Sequence, residues 1–278
     1  MRNIGVKLIM DKTFLKWAGG KNWFIRNESY RLPIDYNIYI EPFLGGGSIY
    51  FYLEPRNAII SDINEELITT YIAIRNNYEV VQSILKKHNK KHDKDYYYKI
   101  RGMRPRKMEN IAARMIYLNR TCFNGIYRVN RKGKFNVPIG TNDKVLLDSD
   151  RFDRYSEILQ NAIILCQDFE ITIDMALEGD FLFCDPPYLV QNDNNRFVGY
   201  TEQLFNWNDQ VRLSEALHRA KDRGVKIIMT NVNHESVKSL YENIDGYTLD
   251  EVVRYSSISG NSNSRKKYSE LIVSANIF

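Results

Sequence analysis

The strongest constraint on this chain is residues 181–188, Phe-Leu-Phe-Cys-Asp-Pro-Pro-Tyr. Four apolar residues in a row read as a short buried strand, and the pattern suits a parallel sheet covered on both faces. The two prolines that follow end it, because each fixes φ near about −65° and removes a backbone donor. Open α/β sheets bind ligands outside the carboxyl ends of their strands, so Asp185 is predicted at the mouth of a crevice. Its carboxylate and the carbonyls beside Pro186 and Pro187 enter no ladder. They make a rigid set of hydrogen-bond acceptors next to one aromatic ring, Tyr188.

A second constraint lies nearer the N-terminus. Tyr39-Ile40-Glu41-Pro42-Phe43 reads as a strand, Leu44-Gly45-Gly46-Gly47-Ser48 as a tight turn, and residues 49–53 as helical. Asn57-Ala58-Ile59-Ile60-Ser61-Asp62 reads as a second strand ending in an acid, with Asn64 capping a helix over 65–74. This order of elements suits an adenosine-containing cofactor: the turn lets a ligand approach the backbone, and Asp62 can accept two ribose hydroxyls. Consecutive glycines do not match Gly-x-Gly-x-x-Gly, which favours a nucleoside without pyrophosphate over a dinucleotide. Upstream, Trp17-Ala18-Gly19-Gly20-Lys21 sets a stacking face and a charge beside two glycines, and is too short for a Walker loop. A purely structural glycine turn is the plainer alternative, and the acid at the end of the second strand weighs against it.

With 278 residues, the chain can hold one α/β domain and a smaller insertion. Helices are expected at 151–159, 171–177, 209–223 and 235–243, and strands at 162–165, 181–184, 225–229, 247–255 and 271–277. Residues 72–118 instead carry only helical periodicity, at 79–88, 96–101 and 108–118, with Lys86, Lys87, Lys90, Lys91 and Lys94 on the polar side, read as a solvated face with direct DNA contact as the alternative. The expected organisation is therefore a catalytic domain of 1–71 and 148–278, interrupted by a recognition domain at 72–147. Residues 189–200 are rich in amides and read as a loop able to close over a substrate. Residues 256–268 read equally as a loose connection or a phosphate-gripping loop.

Net charge is +5, from 39 basic and 34 acidic residues, and its distribution says more than its size. Between Asn110 and Asn142 there is no Asp or Glu, while Arg114, Arg120, Arg128, Arg131, Lys132 and Lys134 fall among Tyr117, Phe123, Tyr127 and Phe135. Residues 123–130 and 134–137 read as two strand-like pieces joined by Arg131-Lys132-Gly133, a basic hairpin at about 121–138. A two-stranded ribbon fits the major groove of B-DNA. Arg128 can make a bidentate contact to guanine, Asn124 an amide contact to a base or phosphate, and Phe123 a wedge into the base stack. The alternative is that Phe123, Tyr127 and Phe135 form the hairpin's own core, and the alternation of faces predicts some of each.

No apolar run approaches the roughly 18 to 20 residues of a membrane span, and no cleavable leader is evident, so a cytoplasmic location is expected. Cys122, Cys166 and Cys184 lie far apart with no Cys-x-x-Cys pair, which indicates neither a disulfide framework nor a metal site.

The acceptor cluster suggests a reaction. An exocyclic amine on an aromatic base shares its lone pair with the ring and must be drawn toward tetrahedral geometry to attack an electrophilic methyl. The Asp185 carboxylate and the Pro186 carbonyl can each take one N–H, while Tyr188 stacks on the ring. A base inside a duplex reaches such a pocket only if extruded, and a wedge with phosphate contacts offsets that cost.

Trp17-Ala18-Gly19-Gly20-Lys21, Glu41-Pro42-Phe43-Leu44-Gly45-Gly46-Gly47, Ser61-Asp62-Ile63-Asn64, Phe123-Asn124-Gly125-Ile126-Tyr127-Arg128-Val129-Asn130 and Asp185-Pro186-Pro187-Tyr188 together resemble the Dam-type, or alpha-group, DNA adenine-N6 methyltransferases, in that family's order. The resemblance spans nearly the whole chain. It implies a Rossmann-like α/β S-adenosylmethionine-dependent methyltransferase sheet with an inserted, mainly helical recognition domain carrying the hairpin. It implies no metal, and S-adenosylmethionine held by Trp17, Lys21, Phe43, Gly45, Asp62 and Asp185. The flipped adenine is implied at Asp185, Pro186, Pro187 and Tyr188, and duplex DNA at Lys16, Phe123, Asn124, Ile126 and Arg128. Many members act on GATC, and some pair with a restriction endonuclease. This chain departs after Pro138, where Gly140-Thr141-Asn142 stands in place of the Gly-Arg-Tyr of GATC-specific relatives. An RNA amino-methyltransferase is the alternative within the enzymes, and a catalytically silent DNA-binding module the alternative outside them.

Overall fold

The computed structural model describes residues 13–130, 133–189, 205–255 and 267–277. Its seven strands are β1 (Tyr39–Glu41), β2 (Ala58–Asp62), β3 (Ala162–Cys166), β4 (Phe181–Cys184), β5 (Lys226–Val232), β6 (Tyr247–Tyr255) and β7 (Lys267–Ala275), in the sheet order β3-β2-β1-β4-β5-β7-β6. β4 runs parallel to both neighbours, with Phe181 opposite Tyr39 of β1 and Cys184 opposite Met229 of β5. β7 is antiparallel to β5 and β6. Strand order proceeds outward in one direction from β1 and in the other from β4, so the topological switch point lies between them, where a Rossmann-like sheet opens a crevice. All four β4 residues are fully buried, as the apolar run demands.

The described residues fall into two compact units, one within Met1–Arg31, Leu44–Ala58 and Asp62–Cys166, the other within Leu32–Phe43, Ile59–Ser61 and Gln167–Phe278. These cut the chain at other places than the expected domain boundaries, and residues 72–147 lie wholly inside the first unit.

In the first unit, the Asn64 side chain accepts from Leu67 N at 3.1 Å and starts a helix, Glu65–Lys91. Two helices were expected there; one element forms, with a non-helical break at Asn77 (φ −147°). Leu67, Ile68, Tyr71, Ile74, Val81 and Leu85 are buried along it, and it packs against the helix Met108–Thr121 through residues such as Ala112, Met115 and Ile116. Burying such side chains is worth about 1.5–3 kcal/mol each. Lys86, Lys87, Lys90, Lys91 and Lys94 all face solvent.

In the second unit the helix expected at 171–177 forms at Phe169–Asp174, because Asp168 accepts from Glu170 N at 2.9 Å and starts it early. The helix expected at 235–243 is only Glu235–Lys238, followed by turns. The amide-rich loop lies outside the described residues beyond Leu189, as does the Ser/Asn-rich segment up to residue 266. No described helix is long and apolar enough to cross a membrane.

Candidate active site

In the second unit, β4 delivers Asp185 to the carboxyl end of the sheet, partly exposed, with Pro186 buried behind it. Thr230 on β5 donates its hydroxyl to Asp185 Oδ1 at 3.0 Å. Tyr188 donates its hydroxyl to Glu270 Oε2 on β7 at 2.7 Å. Thr230 and Glu270 are themselves buried, at 0% and 1% exposure. Burial, then the Asp185 and Glu270 carboxylates, push the Tyr188 hydroxyl far above its ordinary value, so it remains protonated. Burial beside Glu41 and Asp185 likewise keeps the Cys184 thiol protonated and inert. On β1, Tyr39 donates to Glu41 Oε2 at 2.8 Å, both side chains buried. Phe43 stacks on Phe169 at 5.2 Å and meets Phe205 edge-on at 5.9 Å.

The first unit holds the glycine turn. Gly45 N donates to Asp62 Oδ2 and Asn64 N to Asp62 Oδ1, each at 3.0 Å, while Tyr71 donates to the Gly45 carbonyl at 2.9 Å. Asp62 thus ties the turn to the end of β2. A carboxylate has about four acceptor sites, so these two bonds leave capacity for ligand hydroxyls. Burial raises the Asp62 pKa, and the backbone N–H groups of Asn64, Gly45 and Ile63 oppose that rise. Gly45 has φ +47°, and a Cβ there would lie 2.7 Å from Trp17 Cδ1, so only glycine fits beneath the indole. Trp17 in turn stacks on Tyr127 at 5.3 Å and 22°. Lys21 is buried, with Nζ donating to the Gly19 carbonyl at 2.7 Å.

The expected DNA contacts also belong to the first unit. Lys16, Phe123, Asn124, Ile126 and Arg128 are all exposed, Phe123 at 53% and Ile126 at 42%, unusual for large apolar side chains. The hairpin takes a different form from the one expected. Phe123–Gly125 is a 3-10 turn and no strand, because Asn124 and Gly125 adopt left-handed φ of +58° and +66°. Among the described residues of this segment, antiparallel pairing is two isolated bridges, Val129 with Phe135 and Cys122 with Ile139. Phe135 is buried against Tyr127 while Phe123 points out, so the two readings of the aromatics divide between them. The turn is held from outside. Asn119 accepts from Lys16 N at 2.8 Å and donates to the carbonyls of Lys16 at 2.8 Å and Gly125 at 3.3 Å.

Two residues of the basic stretch are corrected. Arg114 is buried and paired with Glu66 at 2.6 Å, and Arg120 is buried and bidentate on Asp150 at 2.7 Å. Neither offers charge to an anion. Arg104, Arg106 and Lys107, in the run Arg-Pro-Arg-Lys, are exposed just before the helix Met108–Thr121. The sequence reading missed Thr230 and Glu270, polar residues in otherwise apolar strands. At the departure from the GATC pattern, a Cβ on Gly140 would lie 2.5 Å from the Cys122 carbonyl oxygen. Asn142 spends its amide on the Arg120 carbonyl at 2.7 Å.

The family model of D12 class N6 adenine-specific DNA methyltransferases matches residues 17–256. Among curated proteins, the chain is 35% identical to "Type II methyltransferase M1.LlaDCHI" of Lactococcus lactis subsp. cremoris, over 94% of each chain. It is 37% identical to "Type II methyltransferase M.MjaIII" of Methanocaldococcus jannaschii, over 92% of this chain and 95% of that one. It is 31% identical to a "DNA adenine methylase" of Haemophilus influenzae, over 95% and 93%. A match covering most of the chain, with the acceptor motif at the end of β4 intact, leads to one conclusion: this chain belongs to the D12 class N6 adenine-specific DNA methyltransferases.

Proposed function

We propose that this chain methylates N6 of an adenine turned out of duplex DNA at a short target sequence, with S-adenosylmethionine as donor. The observation that carries the reading is the pinned motif: the acceptor Asp185 held by Thr230, and the ring of Tyr188 held by Glu270. When bound, S-adenosylmethionine supplies an electrophilic methyl group on a sulfonium. The residues present suit it: Asp62 retains acceptor capacity for ribose hydroxyls, Lys21 is a buried cation beside Gly19, and Phe43 and Trp17 are aromatic. Gly45 and Asp185 complete the proposed set.

Asp185 and the Pro186 carbonyl each accept a hydrogen bond from one amino N–H, which directs the nitrogen lone pair out of the ring plane, and Tyr188 stacks on the base. The amine becomes strongly acidic only as the methyl arrives, so alignment matters more than base strength. Residues 72–147 act as the recognition region, with Phe123 as wedge and Asn124, Ile126 and Arg128 reading the duplex, joined by Lys16 from outside it. GATC is the proposed target, and a restriction endonuclease of the same specificity in the cytoplasm the proposed companion. That companion is suggested by the relatives named type II methyltransferases.

Sequencing of modified bases in DNA from cells expressing the chain tests this reading. N6-methyladenine confined to GATC is the expected result. Methylation of another motif overturns the target alone, and methylated RNA with unmodified DNA overturns the substrate.

A further inference from the structure

We infer that Thr230 and Glu270 are positioning residues of the methyl-transfer site, Thr230 setting the plane of the Asp185 carboxylate and Glu270 the tilt of the Tyr188 ring. The inference rests on the reading that residues 185–188 bind the target adenine.

The sheet register places both side chains. Thr230 and Val232 are two apart on β5 and share a face; Glu270 stands opposite Val232 on the antiparallel β7, and Ile272 opposite Thr230. Thr230 and Glu270 are therefore diagonal neighbours on one face. β4 ends with Cys184 opposite Met229, so Thr230 is the first β5 residue beyond its ladder. The β5–β7 pair extends past the catalytic strand as a ledge, and its polar residues meet the motif there. Thr230 reaches the carboxylate of Asp185 at 3.0 Å and also interacts with the Tyr188 hydroxyl, which joins the two arms.

Stability does not explain this choice. Glu270 is 1% exposed and precedes Leu271, Ile272 and Val273, all fully buried. A buried carboxylate is costly to desolvate, and an apolar pair of similar volume often serves folding as well or better. What the pair supplies is direction. A short bond from hydroxyl to carboxylate is stronger than a neutral one and fixes where the ring lies, and a carboxylate bonded at one oxygen cannot swing about its terminal torsion. The amine must meet its acceptors in one geometry, and small misplacements there reduce the rate steeply. The Tyr188 hydroxyl points its proton at Glu270, so it neither gives nor takes a proton at the substrate. Tyr188 acts through its ring alone.

The test uses the full chain and a duplex containing the target, with kcat, KM for DNA, methyl-donor affinity and melting temperature measured for each variant. Methyl transfer to adenine by the unmodified chain comes first: its absence sinks the reading of the function, before the variants are considered. Given that activity, Thr230→Val and Glu270→Ala are expected to lower kcat about 10- to 100-fold with methyl-donor affinity within about 2-fold. Thr230→Ser, which keeps the hydroxyl, is expected to recover kcat to within about 3-fold of the unmodified chain. Glu270→Gln guards against misfolding, and the Tyr188→Phe/Glu270→Gln pair is expected to be no slower than the slower single variant. Near-normal kcat in Thr230→Val and Glu270→Ala overturns the inference. So do additive losses in the double variant, or losses that track methyl-donor affinity and melting temperature together.

Discussion

The segment at 121–140 and the segment at 181–188 carry the two halves of the proposed task, and they are built by opposite means. Residues 181–184 are buried between parallel neighbours, and the residues after them are pinned by side chains from two further strands. The recognition segment has two isolated bridges, left-handed residues at 124 and 125, and exposed Phe123 and Ile126. The Asn119 side chain reaches from a helix to Lys16 and to the turn at Gly125, and Tyr127 adds a hydrogen bond to Glu66. Chemistry that must align two atoms is placed on the rigid part of the fold. The proposed recognition, which must follow a deformable duplex, falls on a clamped turn.

If this division is right, each half can be lost separately. The largest expected effect is at Asp185. Asp185→Ala should lower methyl transfer by about 10³-fold, since one of two fixed acceptors is gone. DNA affinity should stay within about 2-fold and the melting temperature within about 3 °C, because the side chain is partly exposed. Turnover close to normal, measured with labelled methyl donor, would remove the acceptor role from this residue.

Asn119 tests the other half. Asn119→Ala deletes three hydrogen bonds, two of them to Lys16 and one to Gly125, in a site where Asn119 itself is fully buried. Leaving such groups unpaired costs about 2–3 kcal/mol. DNA affinity is expected to fall about 10- to 30-fold, with kcat at saturating DNA within about 3-fold. A variant that binds DNA normally but turns over slowly would reverse the comparison, making Asn119 part of the catalytic support.

The same contrast explains what could be read from the chain. β4 and the motif after it were legible because an apolar run and two prolines act locally, and so were the Asn64 cap and the acid ending β2. The turn at 123–125 was not, since residues 123–130 carry strand-like alternation and the left-handed pair depends on contacts with Lys16 and Asn119. Its one local sign was the dipeptide Asn124-Gly125. Arg114 and Arg120 looked available because their partners, Glu66 and Asp150, are 48 and 30 residues away. Thr230 and Glu270 were hidden for a related reason: a polar residue in a buried strand declares a partner without saying which.

The smallest expected effect separates the two regions by pH. Behind the helix that carries Asn119, His88 shares Nδ1 with the Tyr96 hydroxyl at 2.8 Å and packs its ring 5.0 Å from Tyr117. His92 bonds Tyr117, whose ring also adjoins Tyr97, and Tyr97 donates to the Val137 carbonyl at the base of the recognition segment. Burial, then the charge of Lys91, lower the His88 pKa from 6.5 to about 4. Between those values the unfolded chain binds a proton that the folded chain refuses, so the contribution is fully present above pH 6.5 and fades as pH falls toward 4. Allowing for partial exposure, about 1–2 kcal/mol should be lost by pH 5. The described anchors of the 185–188 motif, Thr230 and Glu270, include no histidine. Urea midpoints of the unmodified chain and of His88→Gln, followed from pH 7 to 5, should therefore converge as the pH falls, since only the former loses this term. DNA affinity should weaken over that range before methyl-donor affinity does. Parallel midpoint curves would show that His88 contributes no such pH-dependent term.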